Sequence, residues 1–178
     1  MGTFSNPADI VRQCGVSQGM AVGDFGTGAG QYAHLIAAAV APHGTVYAFD
    51  IQKDLLKRLE GELSAEEAKN VHPLWVDLED TAGTGLRAGA LDLAFIINIL
   101  FQIENKEAFV REVLRTLRPG GRALIVDWKE SYGHVGPHPD HVISEQDAQK
   151  LFTDGGFDLD RSLDAGAHHY GFLFRKPL

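Results

Sequence analysis

A glycine-rich turn is the first stretch of this sequence whose residue types could do chemistry. Gly26, Gly28 and Gly30 stand at alternate positions, after an apolar run and before an alanine-rich run. Glycine lets the backbone adopt positive φ and approach a ligand without a Cβ in the way. A helix that starts after such a turn offers unpaired N–H groups and the positive end of its dipole. The turn is therefore a candidate binding site, although three glycines alone are more typical of a tight turn that only packs well.

Polar side chains also end four other apolar runs of the chain. Asp50, Asp77, Asn98 and Asp127 each close a run that predicts a buried strand. The carboxyl ends of parallel strands meet at one edge of a sheet, and ligands bind there where the strand order reverses. Carboxylates at three of these strand ends therefore favour a ligand site over a set of well-packed turns.

The glycine spacing and the position of Asp24 indicate which ligand this would be. The pattern G-x-G-x-G differs from the dinucleotide pattern G-x-G-x-x-G, whose third glycine comes one position later. Asp24, two residues before Gly26, would repel a pyrophosphate and attract an ammonium or sulfonium group. Asp50 lies 20 residues after Gly30, where an acid accepts hydrogen bonds from ribose hydroxyls. A nucleoside with a positively charged amino-acid tail, S-adenosylmethionine, meets these conditions together.

The elements that would position these residues alternate between strand and helix. Strand patterns occur near residues 20–25, 44–50, 70–77, 91–98 and 122–128, with helical patterns between them. A final pair of strand patterns predicts a hairpin at the end of the chain. This alternation predicts an α/β fold with a doubly wound, mostly parallel sheet and helices on both faces.

Local signals refine this prediction. Pro73 lacks an N–H for the strand ladder, so the third strand belongs at an edge and the strand order begins three-two-one. Asn105 and Ser144 precede helical patterns and predict N-caps. Residues 118–121 predict a turn before the fifth strand. Residues 78–89 predict a polar connection with one short helix.

Four short motifs occur in the order and spacing of a known enzyme family. Residues 22–30 resemble the first motif of the class I S-adenosylmethionine-dependent methyltransferases, and residues 46–51 are similar to their second motif. Residues 76–78 resemble the acid after their third strand, and residues 117–121 resemble the turn before their fifth strand. The resemblance implies a Rossmann-like sheet of seven strands in the order 3-2-1-4-5-7-6, within a single domain over residues 1–178. It also implies methyl transfer from S-adenosylmethionine, with S-adenosylhomocysteine as the product.

The resemblance assigns the glycine-rich turn to the amino-acid end of this cofactor. Gly26, Thr27, Gly28 and Gly30 would form the loop over the methionine part, with Asp24 near its ammonium group. For Gly30 an alternative remains open, since a glycine here can serve only the packing of helix against strand.

The same resemblance assigns five further residues to the nucleoside and the reacting end. Asp50 would hold the ribose hydroxyls, and Ile51 would lie against the adenine ring. Asp77 would accept from the adenine amino group, the Leu78 N–H would reach a ring nitrogen, and Asn98 would line the methyl-transfer region. Plainer alternatives remain for three of these residues. Asp50 could cap the following helix, and Asp77 could belong to a solvated acidic face. Asn98 could only form hydrogen bonds with backbone groups at the end of its strand.

Charge and cysteine content limit the partners. The formal net charge is -8, and no run of Lys or Arg exceeds two residues, which argues against nucleic acid as the main partner. Cys14 is the single cysteine, so we expect a reducing cytoplasm and no disulfide framework. The first residues show no signal-peptide pattern, and no segment has the length of a membrane span. The oligomeric state has no signal in the sequence.

A histidine-rich segment is the one candidate metal site. His134, His138 and His141 have spacings that suit a helix, but Pro137 and Pro139 break one, so we expect no metal there. The cofactor dictates no catalytic residue, because it already carries the activated group. The methyl acceptor, a small molecule or a protein, stays unidentified. A non-catalytic cofactor-binding module and a nicotinamide-dependent oxidoreductase stay open as alternatives.

Overall fold

A computed structural model of the chain describes residues 6–65, 67–80, 83–132 and 136–178. Five α-helices and seven strands, with three short 3-10 helices, make up the regular structure in these ranges. The helices are α1 (Pro7–Gln13), α2 (Gln31–Val40), α3 (Lys53–Glu62), α4 (Lys106–Thr116) and α5 (Glu145–Asp154). The strands are β1 (Ala21–Phe25), β2 (Thr45–Asp50), β3 (Val71–Trp75), β4 (Leu91–Ile97), β5 (Leu117–Trp128), β6 (Asp158–Ser162) and β7 (His169–Arg175).

The seven strands form one sheet in the order β3-β2-β1-β4-β5-β7-β6, as the resemblance implied. The first five strands pair in parallel, and β7 pairs antiparallel with both β5 and β6. The strand order reverses between β1 and β4, so their carboxyl ends border the crevice where such sheets bind ligands. The predicted α/β fold class is confirmed.

Apolar side chains fill both faces of the sheet, which explains why its central strands are apolar throughout. On one face, α4 and α5 cover a core that includes Phe25 and Phe109. On the other face, α1, α2 and α3 cover a core that includes Ile36 and Leu124. None of the helices in the described part of the chain is long and apolar enough to cross a membrane.

The predicted helix caps and edge strand are confirmed. The Asn105 side chain accepts a hydrogen bond from the Ala108 N–H at 3.0 Å, and the Ser144 hydroxyl accepts one from the Asp147 N–H at 3.1 Å. Strand β3, which contains Pro73, lies at the outer edge of the sheet. The missing N–H therefore costs no hydrogen bond to a further strand.

One local prediction changes in its bounds and another was wrong. Strand β5 already begins at Leu117, and the turn predicted at residues 118–121 is an irregularity within its pairing to β4. Gly120, with φ of 72°, donates its N–H to the Lys176 carbonyl at 3.0 Å. The predicted turn is therefore hydrogen-bonded to the residue that follows β7. The short helix expected between 78 and 89 does not occur among the described residues of that segment.

That connecting segment is instead attached to α4 by a buried carboxylate. Glu112 is 4% exposed and accepts hydrogen bonds from both the N–H and the hydroxyl of Thr84. Its other oxygen accepts from Arg115 Nε at 2.7 Å. Helical periodicity predicted an apolar face for α4 and missed this acid, because its partner lies 28 residues away in a loop.

We therefore expect Glu112→Ala to lower the free energy of unfolding by about 2–3 kcal/mol, since it leaves buried donors without an acceptor. Urea unfolding followed by circular dichroism measures this change. The matched control is Glu107→Ala, an exposed acid on the same helix, which should cost less than about 0.5 kcal/mol. Equal losses in the two variants would contradict the role given to the buried carboxylate.

Candidate cofactor-binding site

A cavity of about 380 Å³ opens at the carboxyl ends of β1, β2, β3 and β4. It brings together seven of the ten predicted site residues. These seven are Gly26, Gly28, Asp50, Ile51, Asp77, Leu78 and Asn98. The other three do not line the cavity: Asp24 lies in β1, and Thr27 and Gly30 lie in the glycine-rich turn.

Asp50, the last residue of β2, connects the two sides of this cavity. Its Oδ2 accepts a hydrogen bond from the Gly28 N–H and its Oδ1 accepts one from the Gln52 N–H, both at 2.8 Å. The side chain is held at 6% exposure, with both oxygens occupied by backbone donors. Gln52 is the N-cap residue of α3, and α3 has no side-chain cap hydrogen bond, so Asp50 supports the residue before the helix rather than capping the helix. An ionised carboxylate has about four acceptor positions, so it retains capacity for further donors.

Asp24 lies beneath the glycine-rich turn. It is 3% exposed, and Thr27 Oγ1 donates to its Oδ2 at 2.7 Å. Burial raises the pKa of Asp24 to about 6; the Thr27 hydrogen bond opposes this shift and the Asp50 charge adds to it. A cation bound close to Asp24 would therefore stabilise the charged form of this buried carboxylate.

The three glycines of the turn differ in what an added Cβ would contact. A Cβ at Gly30 would collide with Leu59, so this glycine lets the start of α2 approach α3, whereas the plainer alternative placed its packing against a strand. A Cβ at Gly26 would collide with Ile99. Gly28, with φ of 55°, has no atom within 4 Å of a Cβ placed on it. Gly28 itself lines the cavity, so this part of the turn borders space that no protein atom fills.

Asn98 follows β4 on the opposite wall. It is the single non-glycine residue with positive φ, 54°, among those described. Its N–H donates to the Val126 carbonyl at 2.8 Å, while its buried Oδ1 has no hydrogen-bond partner within the described ranges. Asn98 lines the cavity, and its positive φ together with an unsatisfied buried oxygen marks it as a candidate ligand contact.

Asp127, the remaining strand-end acid, does not line the cavity. Its Oδ2 accepts from the Leu100 N–H at 2.9 Å and its Oδ1 from the Trp128 N–H at 2.8 Å. Burial raises the pKa of Asp127 to about 6, against these hydrogen bonds. Asp127 thereby anchors the 3-10 helix Leu100–Gln102, and residues of this segment form a cavity wall that sequence reasoning missed.

The acidic segment after β3 forms the cavity floor rather than only a solvated face. Asp77 is exposed, and its Oδ1 accepts from the Glu79 N–H at 2.9 Å. Glu79 in turn accepts from the Asn105 N–H at 2.6 Å, which ties this segment to the start of α4. Leu78 between them is buried. The role of Glu79 was missed because its partner comes 26 residues later in the chain.

The histidines do not converge on one point where the structure describes them. His134 lies outside the described residues, and the rings of His138 and His141 are 6.0 Å apart. No group of three or more metal-ligating side chains occurs in the described part of the chain. His168 and His169 contact different rings, those of Tyr132 and Trp128.

Comparison with known proteins identifies the class to which this fold and site belong. Residues 16–162 match the family model of a methyltransferase domain. The chain is 30% identical over 121 residues to the ubiquinone/menaquinone biosynthesis C-methyltransferase UbiE of Pseudomonas putida, which covers 67% of this chain and 46% of that protein. It is 23% identical to the demethylmenaquinone methyltransferase of Lactococcus lactis, with coverages of 67% and 46%. The chain spans about half the length of the curated relatives it matches.

Solved structures agree with this assignment. A SAM dependent methyltransferase from Aquifex aeolicus superimposes with a TM-score of 0.87 at 26% identity, covering 97% of this chain and 90% of that one. The [4+2]-cyclase SpnF superimposes with a TM-score of 0.78 at 16% identity, covering 97% and 80%, and so shares the fold.

The chain belongs to the methyltransferase-domain family, and its fold is that of the class I S-adenosylmethionine-dependent methyltransferases. The family membership that the sequence motifs implied is confirmed, and S-adenosylmethionine is the cofactor of this family. This assignment decides against the nicotinamide-dependent alternative.

The buried Asp24 leads to a prediction about stability. In the unfolded chain this carboxyl ionises at its ordinary pKa of 3.8, and in the native protein at about 6. Its contribution to stability is present below the lower value and is lost as the pH rises through the higher one. Asp24→Asn avoids that loss and keeps an oxygen for the Thr27 hydroxyl. We expect the ligand-free variant to be more stable than the wild type by about 1–3 kcal/mol near neutral pH.

Denaturant unfolding at a series of pH values measures this difference. The two proteins should converge as the pH falls below 3.8, where Asp24 becomes protonated in the unfolded as well as the native wild type. A variant less stable than the wild type at neutral pH would contradict the destabilising burial of this charge.

Proposed function

We propose that this protein is an S-adenosylmethionine-dependent methyltransferase that acts on a small-molecule acceptor. The observation that carries the proposal is the position of Asp50. Its buried carboxylate faces a cavity at the carboxyl ends of the parallel strands and is held by the glycine-rich turn. A carboxylate fixed at this point is suited to the paired hydroxyls of a ribose.

The rest of the cavity fits the same cofactor. Asn98 and Gly28 both line the cavity, and the buried Oδ1 of Asn98 has no hydrogen-bond partner among the described residues. Three carboxylates, Asp24, Asp50 and Asp77, match a ligand with an ammonium group, hydroxyls and an aromatic amine. The volume of about 380 Å³ is within the range of ligand pockets.

Each residue has a defined task in this proposal. Asp24 balances the ammonium charge from below the turn, and Asp50 accepts from the ribose hydroxyls. Asp77 and the Leu78 N–H select the adenine edge, with Ile51 against its ring. The cofactor, when bound, supplies a methyl group activated on a sulfonium. The protein then aligns the acceptor and excludes water, and this positioning is the main source of rate enhancement.

The acceptor class is supported by the names of the relatives and by charge. UbiE and the demethylmenaquinone enzyme are named for quinone biosynthesis, so quinone precursors are the first acceptors to test. A net charge of -8 disfavours a nucleic-acid acceptor. A cytoplasmic location remains a prediction from the single cysteine.

The proposal requires S-adenosylhomocysteine to bind, and Asp50→Asn to weaken that binding. We expect a loss of about 10- to 100-fold, since a hydrogen bond to a charged group contributes about 1.5–3 kcal/mol. Isothermal titration calorimetry measures the affinity, and thermal unfolding checks that the turn is intact. Asp54→Asn on α3, an exposed acid, is the matched control and should bind like the wild type.

Activity needs its own measurement, because the fold is shared with a cyclase. Isotopically labelled S-adenosylmethionine is incubated with the protein and a panel of phenolic and quinone precursors. Labelled product that depends on both acceptor and Asp50 supports the proposal. Binding without transfer to any acceptor would favour the non-catalytic module, and a wild type that does not bind would refute the proposal.

Two glycines allow a test of the open space at Gly28. Gly28 and Gly19 both have positive φ and no atom within 4 Å of an added Cβ. Gly19, however, precedes β1 and so lies at the amino ends of the parallel strands, away from the cavity. Alanine at either position should cost about 1 kcal/mol of stability through backbone strain. Only Gly28→Ala should also weaken S-adenosylhomocysteine binding, by about tenfold, because its methyl enters the ligand space. Equal affinities in the two variants would show that the ligand does not approach this glycine.

A further inference from the structure

An exposed tryptophan beside the cavity has no evident part in the core of the fold. Trp75, the last residue of β3, is 58% exposed on the edge strand. Its indole Nε1–H donates a hydrogen bond to the main-chain carbonyl of Ile51 at 2.9 Å. The two residues are 24 positions apart, so this contact joins the end of β3 to the bend that follows β2.

Ile51 is an apolar side chain that burial does not hold in place. It is 58% exposed and lines the cavity, in a bend between β2 and α3. One neighbour is fixed, since the Gln52 N–H is bound by Asp50. The indole of Trp75 donates to the carbonyl of Ile51 itself, so hydrogen bonds from both Asp50 and Trp75 hold the bend.

The surroundings of Trp75 fix the indole in turn. Lys53 Nζ lies 3.8 Å from the centroid of the ring, a cation–π contact on its exposed side. Trp75 is paired in register with Asp50, and the next residue, Val76, donates its N–H to the Asp50 carbonyl at 3.1 Å. The indole therefore projects from a backbone that is already tied to the cavity.

We propose that Trp75 is a positioning residue of the nucleoside end of the site: its indole N–H holds Ile51 in the orientation that contacts the adenine ring. This inference rests on the proposed function. It assigns to the edge strand β3 a share in ligand affinity, although the ring of Trp75 is not among the cavity lining. A surface tryptophan would otherwise contribute little beyond local packing.

The test compares two ligands and three proteins by calorimetry. The ligands are S-adenosylhomocysteine and adenosine, which lacks the amino-acid tail. Trp75→Phe removes the N–H donor and keeps an aromatic ring, and it should weaken both ligands by the same factor, about three- to tenfold. Lys53→Met keeps the donor and removes only the cation, so its affinities should stay within about twofold of the wild type.

Thermal unfolding separates this role from a structural one. A lower melting temperature with unchanged affinities in Trp75→Phe would overturn the inference and leave the proposed function intact. Loss of S-adenosylhomocysteine binding alone, with adenosine unchanged, would also overturn it, because the effect would then lie at the tail. Equal loss in Lys53→Met would show that the hydrogen bond is not what positions Ile51. If the wild type bound neither ligand, both proposals would fail together.

Discussion

The site depends on one carboxylate that joins two loops through their main chains. Asp50 accepts the N–H of Gly28 on one side and the N–H of Gln52 on the other, each at 2.8 Å. Charged acceptors bind amide donors more strongly than neutral ones do. The glycine-rich turn and the start of α3 are therefore held at a constant separation before any ligand arrives. A preorganised cavity of this kind spares a ligand the entropy of ordering its loops.

The same device recurs around the rim. Asp127 binds the N–H of Leu100 and so places the 3-10 helix of one wall, and Glu79 binds the N–H of Asn105 and so places the floor against α4. Acids at the carboxyl edge of the sheet thus serve two purposes. Some face the cavity, and others fix the loops that form it. Their number alone overstates how many could touch a ligand.

The sequence predicted the fold and half of the cavity lining, seven of its fourteen residues, because those features follow from local pattern. A strand-end acid such as Asp50 and the edge proline Pro73 can be located from periodicity and residue chemistry. What stayed hidden depends on contacts between distant residues. Spacing alone did not show that Gly30 packs against another helix while Gly28 stays open. Nor did any local pattern pair Trp75 with a carbonyl 24 residues before it.

The burial of Asp24 links ligand supply to the lifetime of the protein. The ligand-free chain keeps an ionised carboxylate at 3% exposure, a strain that a bound cation would relieve. Any ligand that binds only the native state raises the free energy of unfolding in proportion to the logarithm of its concentration. Molecules without cofactor would therefore unfold more often and be degraded sooner than occupied ones. Cellular abundance of this protein would then follow the availability of the ligand that fills its cavity.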